Sequence, residues 1–524
     1  MNFARFCALN AKKFPKREFL IEIWPSKAVR RSLAWDEFNE HTDRLANYMV
    51  KECEIGKGEI VVQFMRNSLE WWVVYMAVLK AGGVVTPLNF RFAANDVKYA
   101  ADVARCKVLF FDGALSSCIE PIANELDCVN RFIGVGAGLP GFATPYPEAL
   151  KKGDPSPILA DAHDDDMAEL MFTSGTTGAP KPVCHTHGSL FYIAVSNALT
   201  FGEGYESVYI APHPLYHSGS LFYSFPSYMS AGKVLMPMEL QPRSMMESIA
   251  SERATGGWVS VPIWSDIINA VKSEEIKVGD YDLSGLRYIA LGAQPVPAVI
   301  IEEGKRLFPK VKMMNTYGIT EGGGGCSVAL YDEDMARKAG SIGRPGPFME
   351  VKIVDSEGNE LPYGNVGELL VRGPRLMKEY AFNPEMTART ITDGWLHTGD
   401  LAYYDEEGYL YFADRAKDLI IRGGENIFPA EIEDVLRKHP KILDVAVIGY
   451  PHPRLVEIGM AIIQPKNGVV IEDQEVIDFC RDRGLAKYKW PEKFAYAHIP
   501  RNPAGKIEKA KLREKYVTAG GGAA

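Results

Sequence analysis

Residues 173–181 place hydroxyl groups, glycines and a lysine within one short segment. The segment reads Thr173, Ser174, Gly175, Thr176, Thr177 and Gly178, with Lys181 three residues later. Glycines allow backbone amides to approach an anion, hydroxyls donate hydrogen bonds to phosphate oxygens, and an ammonium adds positive charge. The composition suits a polyphosphate-binding loop, with a turn-rich surface loop as the alternative. A Walker P-loop is excluded, because Pro180 and Pro182 flank Lys181.

A second polar cluster follows the apolar run Val311–Met314. It consists of Asn315, Thr316, Tyr317, Gly318, Ile319, Thr320 and Glu321. At the end of a strand, such a set suits a nucleotide, because the ring can stack on a base and the carboxylate can hold Mg²⁺ beside phosphates. The alternative is an ordinary strand-end turn with a tyrosine in the core.

Three smaller segments also carry groups that could do chemistry. Asp400 follows a glycine turn and could bind a ribose diol, the charged run 414–418 contains Arg415 and Lys417, and Lys506 follows a Pro-Ala-Gly turn. Taken singly, these segments are more typical of an Asx turn, a solvated charge cluster and a surface lysine. Their meaning depends on the rest of the chain.

Short apolar runs alternate with helical periodicity between about residues 57 and 315. The pattern predicts strands at Glu59–Phe64, Val84–Leu88 and Lys107–Phe111, and a helix that Ser68 caps and Gly82 ends. Further strands are predicted at 207–211, 233–236 and 286–290. Such alternation predicts a parallel sheet covered by helices, with ligands beyond the carboxyl ends of its strands.

The sequence pattern changes after about residue 341. Short strands are predicted at Glu350–Val354, Gly367–Arg372 and Gly408–Phe412, which suggests a small β-rich subdomain. After Arg415, a strand near residue 419, a helix at 429–438, strands at 443–449 and 459–464, and a helix at 472–483 predict a small α+β domain. We therefore place an N-terminal domain at 1–414, with the β-rich subdomain at about 341–414, and a C-terminal domain at 415–524.

Composition sets limits on the class of protein. The 524 residues have a net charge of −9 and no block of Lys and Arg that would suggest nucleic-acid binding. The N-terminal residues do not resemble a secretory signal, and the apolar stretch 71–85 is too short to span a bilayer. The eight cysteines include no CxxC pair, which favours a reducing cytoplasm and argues against a structural metal.

The segments 173–181, 315–321, 395–400, 414–417 and 505–506, in this order, resemble the acyl-adenylate-forming superfamily over essentially the whole chain. That superfamily includes AMP-forming acyl-CoA synthetases, adenylation domains of peptide synthetases and firefly-type luciferases. The resemblance implies an α/β fold: a large N-terminal domain of parallel sheets covered by helices, with a small β-rich subdomain, followed by a small mobile α+β domain.

The resemblance also implies roles for individual residues. It assigns ATP binding to the following set: Thr173, Ser174, Gly175, Thr176, Thr177, Gly178, Lys181, Ala293, Gln294, Asn315, Thr316, Tyr317, Gly318, Asp400 and Arg415. Within this set Asp400 would bind the ribose, and the match of 291–295 to the family's adenine loop is loose. Thr320 would hold phosphate, Glu321 would hold Mg²⁺, and Lys506 would bridge the substrate carboxylate and the α-phosphate.

The remaining implied roles concern the second substrate and the acid. Lys417 matches the hinge of the C-terminal domain, and Gly423, Gly424 and Glu425 would line the CoA channel. His217 matches an aromatic gate and catalytic position, with a core histidine as the alternative. The acyl pocket would be lined by His217, Val259, Gly318, Ile319 and Gly322. The glycine run 322–325 could leave room for a bulky or long acyl group, or could simply be a flexible loop.

The implied enzyme is an AMP-forming carboxylic acid–CoA ligase of fatty acid metabolism. It would use ATP, CoA and Mg²⁺ to activate a fatty, alicyclic or aromatic acid in the cytoplasm. A stand-alone adenylating enzyme that loads a carrier protein, a luciferase-type oxygenase and a catalytically silent nucleotide-binding protein remain alternatives. The acid and the oligomeric state are left open, with a homodimer as one option.

Overall fold

The computed structural model describes residues 1–173, 180–292, 296–422, 425–501 and 506–518, apart from the side chains of residues 326, 327 and 518. These residues form two compact units. The larger unit comprises Met1–Ala339, Gly343–Glu350 and Val371–Leu396; the smaller comprises Gly340–Ile342, Val351–Leu370 and the chain from His397 onward. The domain boundary predicted at 414/415 stays a prediction.

The larger unit contains two sheets. The order of strands in the first is Gly324–Leu330, Lys312–Ile319, Tyr288–Gly292, Gly256–Trp258, Val208–Ile210, Lys233–Pro237, Glu18–Trp24 and Val29–Ala34. The order in the second is Glu379–Tyr380, Lys181–Thr186, Met167–Thr173, Val84–Pro87, Ile60–Phe64, Val108–Asp112, Arg131–Val135 and Thr144–Pro145. Most neighbours in the middle of each sheet are parallel, which confirms the predicted α/β fold class.

Helices cover these sheets. They are Arg5–Lys13, Trp35–Glu52, Leu69–Ala81, Ala94–Ala104, Ser116–Ile119, Tyr146–Lys152, His187–Phe201, Ser218–Met229, Pro242–Ser251, Val261–Lys272, Ala298–Leu307, Asp332–Met335 and Pro384–Thr390. The helix Leu69–Ala81 is buried along its length and contacts strands of both sheets, as expected for a helix that is apolar on all sides. Ser68 accepts a hydrogen bond from the amide of Trp71, and Gly82 ends the helix at φ +87°, as predicted.

The smaller unit contains most of the strands Glu350–Val354, Gly367–Arg372, Trp395–Tyr404 and Leu410–Arg415. Its second sheet has the order Glu425–Ile427, Ile420–Arg422, Val456–Pro465 and Ile442–His452, and Lys493–Tyr496 pairs with Val456–Pro465. The helices of this unit are Pro429–Leu436, Asp473–Asp482 and Lys509–Arg513. Across both units, the described residues include no helix long and apolar enough to cross a membrane.

One predicted strand is displaced, and two others are shorter than the strands that form. The strand predicted at Gly408–Phe412 runs instead from Leu410 to Arg415, because Gly408 has φ +77° and closes a turn by donating to the Asp405 carbonyl. The strands predicted at 443–449 and 459–464 are longer and form one hairpin, in which Ile442–His452 pairs with Val456–Pro465. In both cases pairing with the neighbouring strand of a hairpin, rather than the apolar run, sets the ends.

Candidate active site

The two ends of the Gly/Thr segment are held together by a strand pair. Thr173 ends the strand Met167–Thr173 and lies opposite Lys181, the first residue of the antiparallel strand Lys181–Thr186. The Lys181 ammonium lies 5.5 Å from the centre of the Tyr380 ring. The other predicted phosphate-binding residues, Ser174 to Gly178, lie outside the described residues. The segment thus follows a strand that is parallel to Val84–Pro87, as predicted.

The second motif lies mainly within a strand. Lys312–Ile319 is one continuous strand, so Asn315 to Ile319 do not follow the strand, as the sequence suggested, but form its second half. Asn315 and Thr316 are buried, whereas Tyr317 to Glu321 are half-buried. The Thr316 hydroxyl accepts a hydrogen bond from Tyr223 (2.7 Å) and donates one to the Leu291 carbonyl (3.0 Å). Thr316 therefore has a structural position, and the later residues are those able to face a ligand.

Thr320 begins a 3₁₀ turn, Thr320–Gly322, and is held by two groups that sequence reasoning did not single out. His185 Nε2 lies 2.9 Å from the Thr320 carbonyl oxygen, and Ser218 Oγ lies 3.1 Å from Thr320 Oγ1. Burial lowers the pKa of His185 to about 4, so its ring is neutral and Nε2 carries the proton that it donates to the carbonyl. The turn is thereby fixed by neutral hydrogen bonds.

Glu321 is oriented by Tyr380. The Tyr380 hydroxyl donates to Glu321 Oε1 at 2.8 Å, and the Met377 amide donates to the Glu321 carbonyl, also at 2.8 Å. Burial, followed by the nearby Glu321 carboxylate, raises the pKa of Tyr380, so its hydroxyl stays protonated. Mg²⁺ is commonly held by one or two carboxylates together with substrate phosphates, and the half-buried Glu321 carboxylate fits that donor set.

Tyr380 links the two motifs, because it contacts Lys181 through its ring and Glu321 through its hydroxyl. The short strand Glu379–Tyr380 positions it by pairing with Lys181–Thr186, where Tyr380 lies opposite Val183. No sequence motif surrounds Tyr380, so only its place beside that strand reveals the link.

The glycine run is tightly packed at two of its positions. A Cβ on Gly325 would lie 1.6 Å from the Tyr223 hydroxyl, and one on Gly323 would lie 2.5 Å from the Arg375 carbonyl. Arg375 is fully buried and donates to the carbonyl of Gly323 at 2.7 Å and to Ser196 Oγ at 2.8 Å. The suggestion that this run leaves room for an acyl group is therefore wrong at Gly323 and Gly325. The alternative of a flexible loop is also wrong from Gly324 on, where the strand Gly324–Leu330 begins.

Of the residues predicted for the acyl pocket, His217 lies beside an aromatic group. His217 precedes the helix Ser218–Met229, accepts a hydrogen bond from the Gly219 amide on Nδ1, and lies parallel to the Trp258 ring with centroids 6.4 Å apart. Trp258 is also parallel to the Tyr223 ring at 5.9 Å. Val259 is almost fully buried, and its amide donates to the Ala290 carbonyl. Ala293 and Gln294, predicted for the adenine loop, lie outside the described residues.

In the smaller unit, Asp400 and Arg415 are direct partners across a strand pair. Their side chains form an ion pair at 3.0 Å, and the Asp400 carboxylate is almost fully buried. The Thr398 hydroxyl accepts a hydrogen bond from the Asp400 amide and donates one to the Leu369 carbonyl. The carboxylate predicted to bind ribose is therefore fixed to the sheet.

Lys417 lies on the single 3₁₀ turn Ala416–Asp418 that follows this strand pair. Although the residue as a whole is exposed, desolvation of its ammonium lowers the pKa of Lys417 to about 8, Arg415 and Arg513 act in the same direction, and Asp418 opposes them. Arg513, from the helix Lys509–Arg513, forms an ion pair with Asp418 at 2.6 Å. The turn predicted as a hinge is thus held by charges.

Glu425 and Lys506 each follow residues that lie outside the described ranges. Glu425 is exposed and pairs with Arg422 at the end of a hairpin; Gly423 and Gly424, between them, lie outside the described residues. Lys506 is half-buried and precedes Ile507, which pairs with Arg501 in an isolated bridge. Arg501 is tied to Asp444 by an ion pair of 2.6 Å, so the base of the segment that carries Lys506 is anchored.

Known proteins resemble the chain over nearly all of its length. The profile of the AMP-binding enzyme family matches residues 7–381, and that of the AMP-binding enzyme C-terminal domain matches 431–506. The long-chain-fatty-acid–CoA ligase FadD13 of Mycobacterium tuberculosis is 34% identical over 96% of each chain. Feruloyl-CoA synthase of Amycolatopsis sp is 32% identical over 94% of this chain and 98% of that one.

A solved structure agrees with these relatives. ATP-bound MatB from Rhodopseudomonas palustris superimposes with a TM-score of 0.86 at 27% identity, covering 98% of this chain and 99% of that one. The family match spans most of the chain, and both relatives exceed 30% identity. The chain therefore belongs to the AMP-binding enzyme family, within its AMP-forming acyl-CoA ligases, which are ATP-dependent adenylating enzymes.

Proposed function

We propose that this enzyme converts a carboxylic acid, MgATP and CoA into an acyl-CoA, AMP and pyrophosphate in two displacements. The observation that carries the proposal is the link through Tyr380, which joins Lys181 at the base of the Gly/Thr segment to the Glu321 carboxylate. A cation for phosphate and a carboxylate for its metal, held by one side chain, suit a magnesium–polyphosphate substrate.

In the first displacement, a carboxylate oxygen of the acid attacks the α-phosphorus of ATP, and pyrophosphate leaves. No enzyme nucleophile takes part, so catalysis rests on positioning and on stabilisation of the charge that develops. Lys181 and the Gly/Thr segment bind the β- and γ-phosphates, and Thr320 binds phosphate. Glu321 would hold Mg²⁺, which supplies charge neutralisation when bound. Tyr317 stacks on adenine, Asp400 binds the ribose, and Lys506 bridges the attacking carboxylate and the α-phosphate.

In the second displacement, the thiol sulfur of CoA attacks the acyl carbonyl carbon, and AMP leaves with the bonding electrons. Gly423, Gly424 and Glu425 are assigned to CoA, and Lys417 is assigned to the hinge that separates the two half-reactions. His217, on the surface of the aromatic group formed with Trp258 and Tyr223, is assigned to the gate between acid and thiol.

The acid is proposed to be fatty, alicyclic or aromatic. The names of two relatives of nearly equal similarity, 34% and 32%, point to a long-chain fatty acid and to ferulic acid, so similarity alone does not choose between them. The parallel rings of His217 and Trp258 supply apolar contact area, which suits either class better than a polar acid.

The test measures AMP and pyrophosphate release from MgATP across a panel of fatty, alicyclic, aromatic and amino acids, each with and without CoA. Turnover that requires both an acid and CoA supports the proposal and identifies the class of acid. Acid-dependent exchange of pyrophosphate into ATP without CoA-stimulated turnover would indicate that a carrier protein, rather than CoA, accepts the acyl group. Absence of both activities with every acid would contradict the proposed function.

A further inference from the structure

Two cysteines that the proposed reaction does not use lie together at the end of one helix. The Cys106 amide donates to the Ala101 carbonyl at 3.1 Å, and the Cys128 thiol donates to the same carbonyl at 3.7 Å. Ala101 belongs to the helix Ala94–Ala104, which ends shortly before Cys106. The two cysteines are far apart in the sequence and have no CxxC spacing, so only the fold brings them to one place.

Strand pairing explains why these cysteines meet. Each of them lies shortly before a strand, and the two strands, Val108–Asp112 and Arg131–Val135, are parallel neighbours whose first residues pair. The Asn130 amide donates to the Lys107 carbonyl at 2.9 Å, so the pairing extends ahead of both strands. Neighbouring strands lie about 4.8 Å apart, and the Cα atoms of a disulfide lie about 4.4–6.8 Å apart. The backbone spacing therefore suits a disulfide bond.

The two thiols differ in exposure and in acidity. Cys106 is fully buried and Cys128 is half-buried, so Cys128 is the member of the pair that a solute can reach. A hydrogen bond between the thiols lowers the pKa of Cys128 to about 7, and the same hydrogen bond together with burial raises the pKa of Cys106. A reachable thiol of low pKa beside a second cysteine is typical of a redox-sensing site.

We propose that Cys106 and Cys128 form a reversible disulfide when a peroxide oxidises them, and that this oxidation weakens the binding of ATP. The Cys128 thiolate attacks one oxygen of hydrogen peroxide, so that an S–O bond forms, the O–O bond breaks and hydroxide leaves. The Cys106 thiol then attacks the sulfur of this sulfenic acid, so that the S–S bond forms, the S–O bond breaks and water leaves with the thiol proton. The two sulfurs lose two electrons in total, and the peroxide is reduced to water.

The helix that ends at this pair also packs beside the Gly/Thr segment. One buried core joins Ala104 of the helix to Leu170 and Cys184, which lie on the strands before and after that segment. The Tyr99 hydroxyl, also on the helix, donates to the Pro180 carbonyl at 3.4 Å. A disulfide draws the two sulfurs together and removes the thiol that donates to the helix, so the end of the helix has to move. The effect on ATP rests on the phosphate-binding role that the proposed function assigns to this segment.

The first experiment maps the bond in the full-length protein after treatment with hydrogen peroxide. Non-reducing digestion with trypsin and a glutamate-specific protease separates Cys106, Cys118 and Cys128 into the peptides 106–107, 108–120 and 126–131. Mass spectrometry is expected to find the first and third peptides linked, and dithiothreitol should release them. Absence of this linked pair would overturn the proposal.

Three variants assign the steps. Cys118→Ser is the matched control, because Cys118 is also half-buried but lies on the helix Ser116–Ile119, and it should leave the linked pair unchanged. Cys106→Ser should accumulate a sulfenic acid on Cys128, which dimedone traps, because the second thiol is missing. Cys128→Ala should form neither product at this site. Oxidation of Cys106 in the Cys128→Ala variant would overturn the order of the two steps.

The second experiment measures the dissociation constant of MgATP by calorimetry before and after oxidation. The constant of the wild-type protein should rise by about fivefold or more and should recover with dithiothreitol, whereas that of Cys128→Ala should stay the same. An unchanged constant in fully cross-linked protein would overturn the effect on ATP. The disulfide map needs no turnover and no bound nucleotide, so failure of the proposed reaction would leave it intact.

Discussion

The turn Thr320–Gly322 in the larger unit and the turn Ala416–Asp418 in the smaller unit are both assigned to ATP-dependent chemistry but are held in different ways. Around the first, neutral donors dominate: His185 donates to the Thr320 carbonyl, and Tyr380 donates to Glu321. Around the second, ion pairs dominate: Arg415 with Asp400, and Arg513 with Asp418.

Burial explains the difference. In the larger unit, Glu169 and His185 lie opposite each other on two paired antiparallel strands, and both residues are fully buried. Desolvation raises the pKa of Glu169 to about 8 and lowers the pKa of His185 to about 4, so both groups are neutral near pH 7. In the smaller unit, Arg415 and Arg513 are about one-third exposed, and such charges stay ionised and are screened by salt. Substitutions around the first turn should therefore lower activity and stability together. Substitutions around the second turn should change activity without a matching change in stability.

The largest expected effect is on the first half-reaction. Lys506→Ala should slow acid-dependent ATP–pyrophosphate exchange by about 1,000-fold, because the developing charge loses its cation, while thioester formation from a supplied acyl adenylate is largely retained. The thermal midpoint should not change, since Lys506 is half-buried beside an anchored bridge. Lys511→Ala, at an exposed position of the same unit, is the control. Equal loss in both half-reactions would remove the assigned role.

A stability effect should mark the larger unit. Arg375→Ala should lower the free energy of unfolding by about 3 kcal/mol, because the buried carbonyl of Gly323 and the hydroxyl of Ser196 lose their donor. Urea denaturation measures this value. Arg389→Ala removes an arginine that is 77% exposed and should change stability by less than about 0.5 kcal/mol. Similar values for both variants would contradict the comparison.

The pH dependence of stability provides a further measurement. Glu169 has a folded pKa of about 8, above the unfolded value of 4.5, so its contribution to stability is full below the unfolded pKa and is lost as pH rises through 8. Glu169→Gln should therefore leave stability near pH 4.5 almost unchanged and raise it at high pH, by roughly 2–4 kcal/mol. Urea denaturation near pH 4.5 and at a pH above the folded pKa measures this difference. Glu120→Gln, at an exposed position, should not alter the slope.

The smallest expected effect concerns the hinge. Lys417→Pro should spare adenylation and slow thioester formation by about tenfold or less, because proline restricts both its own φ and the conformation of Ala416. Separate assays of the two half-reactions measure this. Lys417→Ala removes only the ammonium and should have less effect on the second step than Lys417→Pro. Normal thioester formation by the proline variant would contradict the hinge assignment.

Local patterns predicted the helix Leu69–Ala81 between Ser68 and Gly82, several central strands and the two main motifs, because capping and periodicity are properties of adjacent residues. The same information misplaced Asn315–Ile319 after a strand rather than within it. Strand ends depend on pairing with other segments of the chain, such as Thr316 with Gly292 in the neighbouring parallel strand, and a local pattern does not contain that pairing.

The sequence by itself determined which chemical groups the protein carries, their order along the chain and the family to which they belong. Only the tertiary structure decided how those groups are held. Tyr380 reaches Glu321 across 59 positions, and His185 reaches Thr320 across 135. The packing of Tyr223 against Gly325 likewise shows that this position of the glycine run accommodates a neighbouring side chain. Such contacts arise from the packing of sheets and helices, which brings together residues that no spacing in the sequence relates.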